Sequence, residues 1–181
     1  WGQARLTRKA LRCFAALATL LAAFAPGLAA DNRLAACSDE QLDVIRRIDI
    51  CGDLIGDKAA SPVNQAIGYL NRAIALVAIN EYDRAVADYD RAIDLDSNNA
   101  FAYRKRAEAW VKKRGGSDYA IADYDRAIRI EPTNASIYRE RAEAWASKAF
   151  FKRAILEYDQ AISLDPTNVL GYDNRGLLWL H

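Results

Sequence analysis

Tyr-Arg-Lys-Arg-Ala-Glu-Ala-Trp, residues 103–110, decides the fold because it recurs. Residues 138–145 read Tyr-Arg-Glu-Arg-Ala-Glu-Ala-Trp, and residues 172–179 read Tyr-Asp-Asn-Arg-Gly-Leu-Leu-Trp. Upstream, residues 69–76 read Tyr-Leu-Asn-Arg-Ala-Ile-Ala-Leu. The four blocks begin at Tyr69, Tyr103, Tyr138 and Tyr172, so the period is 34, 35 and 34 residues. Self-similarity at that period marks an array of repeats, each unable to bury its apolar face without its neighbours.

A second block lies between the copies: Ala85, Tyr89 and Ala92 return as Ala120, Tyr124 and Ala127, and again as Ala154, Tyr158 and Ala161. Both blocks have i, i+4, i+7 spacing, which puts each set on one face of a helix. Alanine on one helix leaves the hole that a neighbour's aromatic ring fills. Asn80 and Gly115-Gly116 fall between the two helices of a unit, where a positive φ is often needed. Pro132 and Pro166 follow the second helix, and Asn134 and Asn168 precede the next one. Proline stops a helix and asparagine caps the following start. The unit is a helix-turn-helix, and the spacing predicts helices near residues 66–79, 82–95, 100–113, 117–130, 135–148, 151–164 and 169–180.

With these offsets the chain resembles the tetratricopeptide repeat (TPR) proteins, whose signature places aromatic, small and proline residues at such positions. The resemblance covers repeats 66–99, 100–134 and 135–168 and a partial repeat 169–181. It departs from the signature where tyrosine opens the first helix and where Arg72, Arg106, Arg141 and Arg175 stand in place of leucine; Ser97 replaces one proline. The resemblance implies an all-α, right-handed TPR-type solenoid over residues 61–181. It also implies a protein or peptide partner in a concave groove built from the first helices. The residues mapped onto that groove are Leu70 and Ile74 in the first repeat and Phe101, Arg104, Lys105, Glu108 and Lys112 in the second. Arg139, Glu140 and Glu143 follow in the third, and Asn174 in the partial one. Some members grip a peptide's terminal carboxylate with Lys and Asn where this chain has Leu70 and Ile74, so that clamp is not expected. The sharper expectation is that Arg104, Lys105 and Lys112 receive acidic side chains while Leu70, Ile74 and Phe101 supply apolar contact; the plainer one is a solvated helix face.

Residues 1–30 read as a secretory signal. Arg5, Arg8, Lys9 and Arg12 form a basic start, and the apolar run Cys13 to Ala25 is shorter than the roughly 20 residues of a membrane span. Pro26-Gly27 breaks it, and small residues at Ala29-Ala30 suit cleavage. An uncleaved anchor or a buried helix is the alternative. Leu34-Ala35-Ala36-Cys37 also matches a lipobox, although Asp31-Asn32-Arg33 separates it from the apolar run. The signal holds four of the 25 Lys+Arg and none of the 24 Asp+Glu, leaving 21 basic against 24 acidic residues, net −3. That balance argues against nucleic acid as the main partner. The expectation is an exported protein of the bacterial periplasm, with no membrane span after cleavage and an oligomeric state left open. The lack of Met and the end in mid-repeat suggest a piece of a longer chain.

Cys37 and Cys51 form an even pair in an exported chain, which suggests a disulfide; two buried thiols or a metal pair are the alternatives. A helix starting at Ser38 would carry Cys51 roughly 20 Å up its axis, beyond the about 7 Å a disulfide allows. The bond requires the helix to begin near Asp43. Residues 31–60 read as a segment capping the solenoid, with Ile48, Cys51 and Ile55 on its packing face.

The only histidine is His181, so a histidine triad or histidine-bound metal finds no support. No phosphate loop or Cys-x-x-Cys occurs, and neither catalytic residues, cofactor nor metal are expected. The repeated carboxylates Asp88, Asp90, Asp123, Asp125, Glu157 and Asp159 are read as partners of the repeated arginines. Asn134-Ala135-Ser136 is formally a glycosylation sequon, here read as chance. The alternative to a stand-alone binding module is a docking arm for an enzyme or envelope-assembly protein with domains beyond residue 181.

Overall fold

The computed structural model describes residues 26–167 and 169–178, with side chains from residue 32. Every regular element among them is a helix: α1 (Pro26–Cys37), α2 (Val44–Gly56), α3 (Pro62–Ala78), α4 (Tyr82–Leu95), α5 (Ala100–Lys112), α6 (Ser117–Ile130), α7 (Ala135–Ser147), α8 (Phe151–Leu164) and α9 (Val169–Leu178). The helices fall within the expected spans except at α3, which starts four residues early. Ser61 caps it by accepting from the Asn64 amide at 3.1 Å, and Pro62 stands where a missing N–H removes no bond. Asn99 and Asn134 cap α5 and α7, accepting from Ala102 at 3.0 Å and Ser136 at 3.2 Å. Asn168 lies outside the described residues.

Packing follows the alanines. Ala73, Ala107, Ala142, Ala85, Ala120 and Ala154 are completely buried, and Tyr89 and Tyr124 fill the spaces between helices. Successive helices pack as pairs, and the first helices α3, α5 and α7 also touch in sequence. The result is an α-solenoid. The turns within repeats hold a left-handed residue: Asn80 (φ 63°), Gly115 (φ 79°) and Ala149 (φ 61°). Next to Gly115, a Cβ on Gly116 would lie 2.0 Å from the Trp110 carbonyl oxygen, so only glycine lets the chain pass there.

The arginine register has the expected form. Arg106 donates to Asp123 through Nε at 2.7 Å and Nη2 at 2.6 Å, and through Nη1 to Asp90 of the preceding repeat at 2.5 Å. Arg141 has the same pair of partners in kind, donating to both oxygens of Glu157 through Nη2 at 2.7 and 2.8 Å and to Asp125 through Nη1. Arg72 makes only the bond within its repeat, to Asp88 at 2.7 Å, because Gly52 of α2 faces it where a carboxylate would stand. Arg175 pairs with Asp159. Each guanidinium also lies over the ring of the tyrosine three residues before it, at 5.6 to 5.7 Å.

The capping segment differs from its expected outline. Helix α1 opens at Pro26, where a missing N–H removes no bond, and packs on α2. Residues 1–25 lie outside the described residues. Asp43 caps α2, accepting from Ile45 and Arg46 at 3.1 Å each, which puts Cys51 beside Cys37 in a disulfide with Cα atoms 4.9 Å apart. The packing face of α2 is turned by one residue: Arg47, Cys51 and Leu54 are buried, while Ile48 and Ile55 are half-buried. The bond sets this rotation, since it draws Cys51 under α1. At the other end α9 leaves Val169, Leu170 and Leu177 exposed; Trp179, expected to share that face, is outside the described residues.

Two measurements follow. Reduction, or Cys51→Ser, opens a 14-residue loop and is expected to lower stability by about 3 kcal/mol in urea titrations with and without reductant. An unchanged midpoint would refute a structural role. Arg106→Ala strands the buried Asp123 and should cost about 3 kcal/mol or more. Arg175→Ala frees a half-exposed carboxylate and should cost under about 1 kcal/mol. Equal losses would sink this ranking of the ladder.

Candidate functional site

The first helices contribute to two depressions. One, of about 280 Å³, is apolar: Val63, Ala66, Ile67 and Leu70 of α3 face Ala92 and Leu95 of α4, with Asp96 and Asn99 at its rim. The other, of about 250 Å³, lies between α5 and α7 and is lined by Glu108, Val111, Lys112, Arg139, Glu140 and Glu143 over a floor of Tyr124. The i, i+3, i+4 spacing of α5 brings Glu108, Val111 and Lys112 to one side. Helix α7 presents Arg139, Glu140 and Glu143 opposite them.

Five of the expected groove residues therefore meet in one place: Glu108, Lys112, Arg139, Glu140 and Glu143. Asn174 reaches the same carboxylates, donating to Glu143 at 3.4 Å. Leu70 lines the apolar depression, whereas Ile74 packs half-buried on the core of the first repeat. Phe101 stands exposed at 42%, with the Lys105 ammonium 5.5 Å above its ring. Val111 and Tyr124 were missed by the sequence reading, as were Val63, Ile67 and Leu95. Val111 was legible from its spacing to Glu108. Tyr124 is a core residue by pattern, and only the gap between α5 and α7 exposes its edge.

The cations are unequal. Arg104 donates to Glu140 at 2.9 Å, and Lys105 holds Glu108 at 2.9 and 3.0 Å. Arg139 is engaged with Glu143 at 2.5 Å and Glu140 at 3.3 Å. Lys112 forms no ion pair among the described residues, so it is the cation left for a ligand. Burial raises the Glu140 carboxyl above its ordinary value, while Arg104 opposes that effect. Burial also pushes the Tyr124 phenol up, helped by Glu140, Glu108 and Glu143. The Tyr158 phenol rises to about 12, again through burial first and Glu143 second. Among the described residues no cluster of three His, Cys, Asp or Glu side chains has the arrangement to hold a metal. No described helix is long and apolar enough to cross a membrane.

The comparisons agree on the architecture. Residues 73–113 match the family model described as TPR repeat. The chain superposes on MamA 41-end from Desulfovibrio magneticus RS-1 with a TM-score of 0.71 at 17% identity, covering 82% of this chain and 81% of that one. The Arabidopsis OM64 TPR domain gives 0.62 at 24% identity, over 67% of this chain and 99% of that one. The second TPR domain of human RPAP3, in complex with the HSP70 peptide SGPTIEEVD, gives 0.61 at 24%, over 65% and 98%. No curated protein matches the sequence.

Because the folded protein holds the Glu140 proton more tightly than the unfolded chain does, this group favours folding at low pH, and its contribution turns unfavourable as pH rises through the raised value. Glu140→Gln should therefore gain stability relative to the parent between about pH 4.5 and neutrality. Urea titrations at both ends test this, and a difference that is flat or falls with pH contradicts it.

Proposed function

We propose that this tetratricopeptide-repeat solenoid is a binding module that holds an extended peptide segment of a protein partner along its first helices, with no catalysis of its own. The observation that carries this reading is a pair of depressions to which first helices contribute, an apolar one between α3 and α4 and a charged one between α5 and α7, together with the exposed ring of Phe101 on α5. A partner places an aliphatic side chain against Val63, Ile67, Leu70 and Leu95, crosses Phe101, and sets an acidic side chain beside Lys112. Phe101 and Lys112 are separated by about 16 Å along α5, which roughly five extended residues span. The RPAP3 domain, similar in fold, is the precedent for peptide capture. Its ligand is the HSP70 peptide SGPTIEEVD, and Leu70 and Ile74 give no reason to assign that ligand here.

We also place the protein in an exported, oxidising compartment, the bacterial periplasm. This rests on the basic-then-apolar composition of residues 1–25 and on the Cys37–Cys51 bond, which a reducing cytosol disfavours.

Selection of displayed random peptides on the intact chain is expected to enrich ligands in which an aliphatic and an acidic residue stand more than about five positions apart. Calorimetry on such a ligand should show at least a roughly tenfold loss with Lys112→Glu or Phe101→Ser, each placed at the surface and leaving the melting temperature unchanged. Failure to enrich any motif, or equal affinity in both variants, overturns the groove.

A further inference from the structure

The turn inside the third repeat departs from the other two at adjacent positions, with a non-glycine, non-asparagine residue at positive φ followed by a half-exposed aromatic. The left-handed residue is Asn80 in the first repeat and Gly115 in the second, both suited to a positive φ, but Ala149 (φ 61°) in the third. The residue before the second helix is Glu81, then Gly116, then Phe150. None of the three gives its helix a side-chain cap, but only Phe150 puts a large apolar ring there, 49% exposed and with one edge against Trp145 at 5.6 Å. Neighbouring choices that oppose local preference are where function is expected to outweigh stability.

The surroundings of Phe150 say what that function is. Lys148 lies 5.4 Å from its ring and Arg153 5.9 Å, with Arg153 also 4.7 Å over Trp145. Ala149, Phe150, Phe151, Lys152 and Arg153 line an open depression of about 450 Å³. The turn of the second repeat adjoins it, since Ser117 and Ser147 hydroxyls meet at 3.1 Å and Lys148 pairs with Asp118. That turn adds Lys113 and Arg114. Asp83 and Asp118 each engage one lysine, Lys113 and Lys148, whereas Arg114, Lys152 and Arg153 form no ion pair among the described residues. The first repeat's turn has Glu81 and Asp83 instead, so the basic character belongs to repeats two and three.

We propose that this edge docks on an anionic lipid surface, with Phe150 entering the headgroup layer and the flanking cations meeting lipid phosphates. An exposed aromatic ringed by Lys and Arg is the chemistry that such an interface selects. The location suits it, because turns at the edge of a solenoid reach a flat surface that a groove cannot. The edge is separate from the peptide groove, and neither reading depends on the other.

The test uses the full chain and hydrogen exchange by mass spectrometry, a local readout chosen because residues 13–25 are themselves apolar. Vesicles of equimolar phosphatidylcholine and phosphatidylglycerol are expected to protect residues 113–118 and 147–153, and pure phosphatidylcholine vesicles are not. Protection should fade with added salt. Arg114→Glu with Lys152→Glu should weaken it by about tenfold or more in lipid concentration. Phe150→Ser exchanges the ring's edge contact with Trp145 for a capping oxygen, so its melting temperature is measured alongside, and the folded variant should lose protection. The proposal fails if these turns stay unprotected on anionic vesicles, which would leave the patch to an acidic protein. It also fails if protection is equal on neutral lipid or survives the charge reversals.

Discussion

Helices in this protein approach at alanine, and the rest of the structure depends on that closeness. Ala73, Ala107 and Ala142 on the first helices, and Ala85, Ala120 and Ala154 on the second, have no exposed surface. A larger side chain at any of them would push a helix pair apart, because interiors have no slack to absorb added volume. The small contacts set the spacing at which Tyr89 and Tyr124 fill the remaining space. They also bring the arginine of one helix within reach of carboxylates on two others. Arg106 touching both Asp123 and Asp90 is thus a consequence of alanine packing, and in turn it locks one repeat to the next. Stability in such an array is a sum of repeat and neighbour terms, so a bridge between repeats acts on the cooperativity of the whole.

The same geometry divides the surface by role. First helices touching in succession leave shallow furrows between them, and the charged furrow of α5 and α7 is one. Internal pairing is what shapes its chemistry. Arg104 and Lys105 are occupied by Glu140 and Glu108, so a surface that looks basic in sequence offers chiefly Lys112. The turns of repeats two and three carry a different charge pattern, with Lys113, Arg114, Lys148, Lys152 and Arg153 gathered along one edge. There Ala149 takes the positive φ that Asn80 and Gly115 hold in the other repeats, and Phe150 stands half-exposed beside Trp145.

The repeat period, helix boundaries, and alanine and tyrosine core were legible because each rests on local spacing and on short-range turn and cap chemistry. The arginine partners were legible too, since a charge repeated with the period must find a partner repeated with the period. Less was legible in the candidate site. Glu108, Lys112, Arg139, Glu140 and Glu143 could be placed on one side of their helices, and they do share a depression. Val111, Tyr124 and the cleft beside Leu70 were missed, because a gap between two helices is a property of neither.

By itself the sequence determined an all-α repeat, the order of its helices and the identity of its buried faces, since these follow from periodicity within about two turns of chain. Only the tertiary structure decided which groove cations are already paired and how far α2 turns once Cys51 is tied to Cys37. It alone set the turns of repeats two and three side by side. The disulfide, the Arg104–Glu140 pair and the Ser117–Ser147 contact join residues 14 to 36 positions apart, and their geometry depends on how closely the intervening helices pack, which composition and spacing leave open.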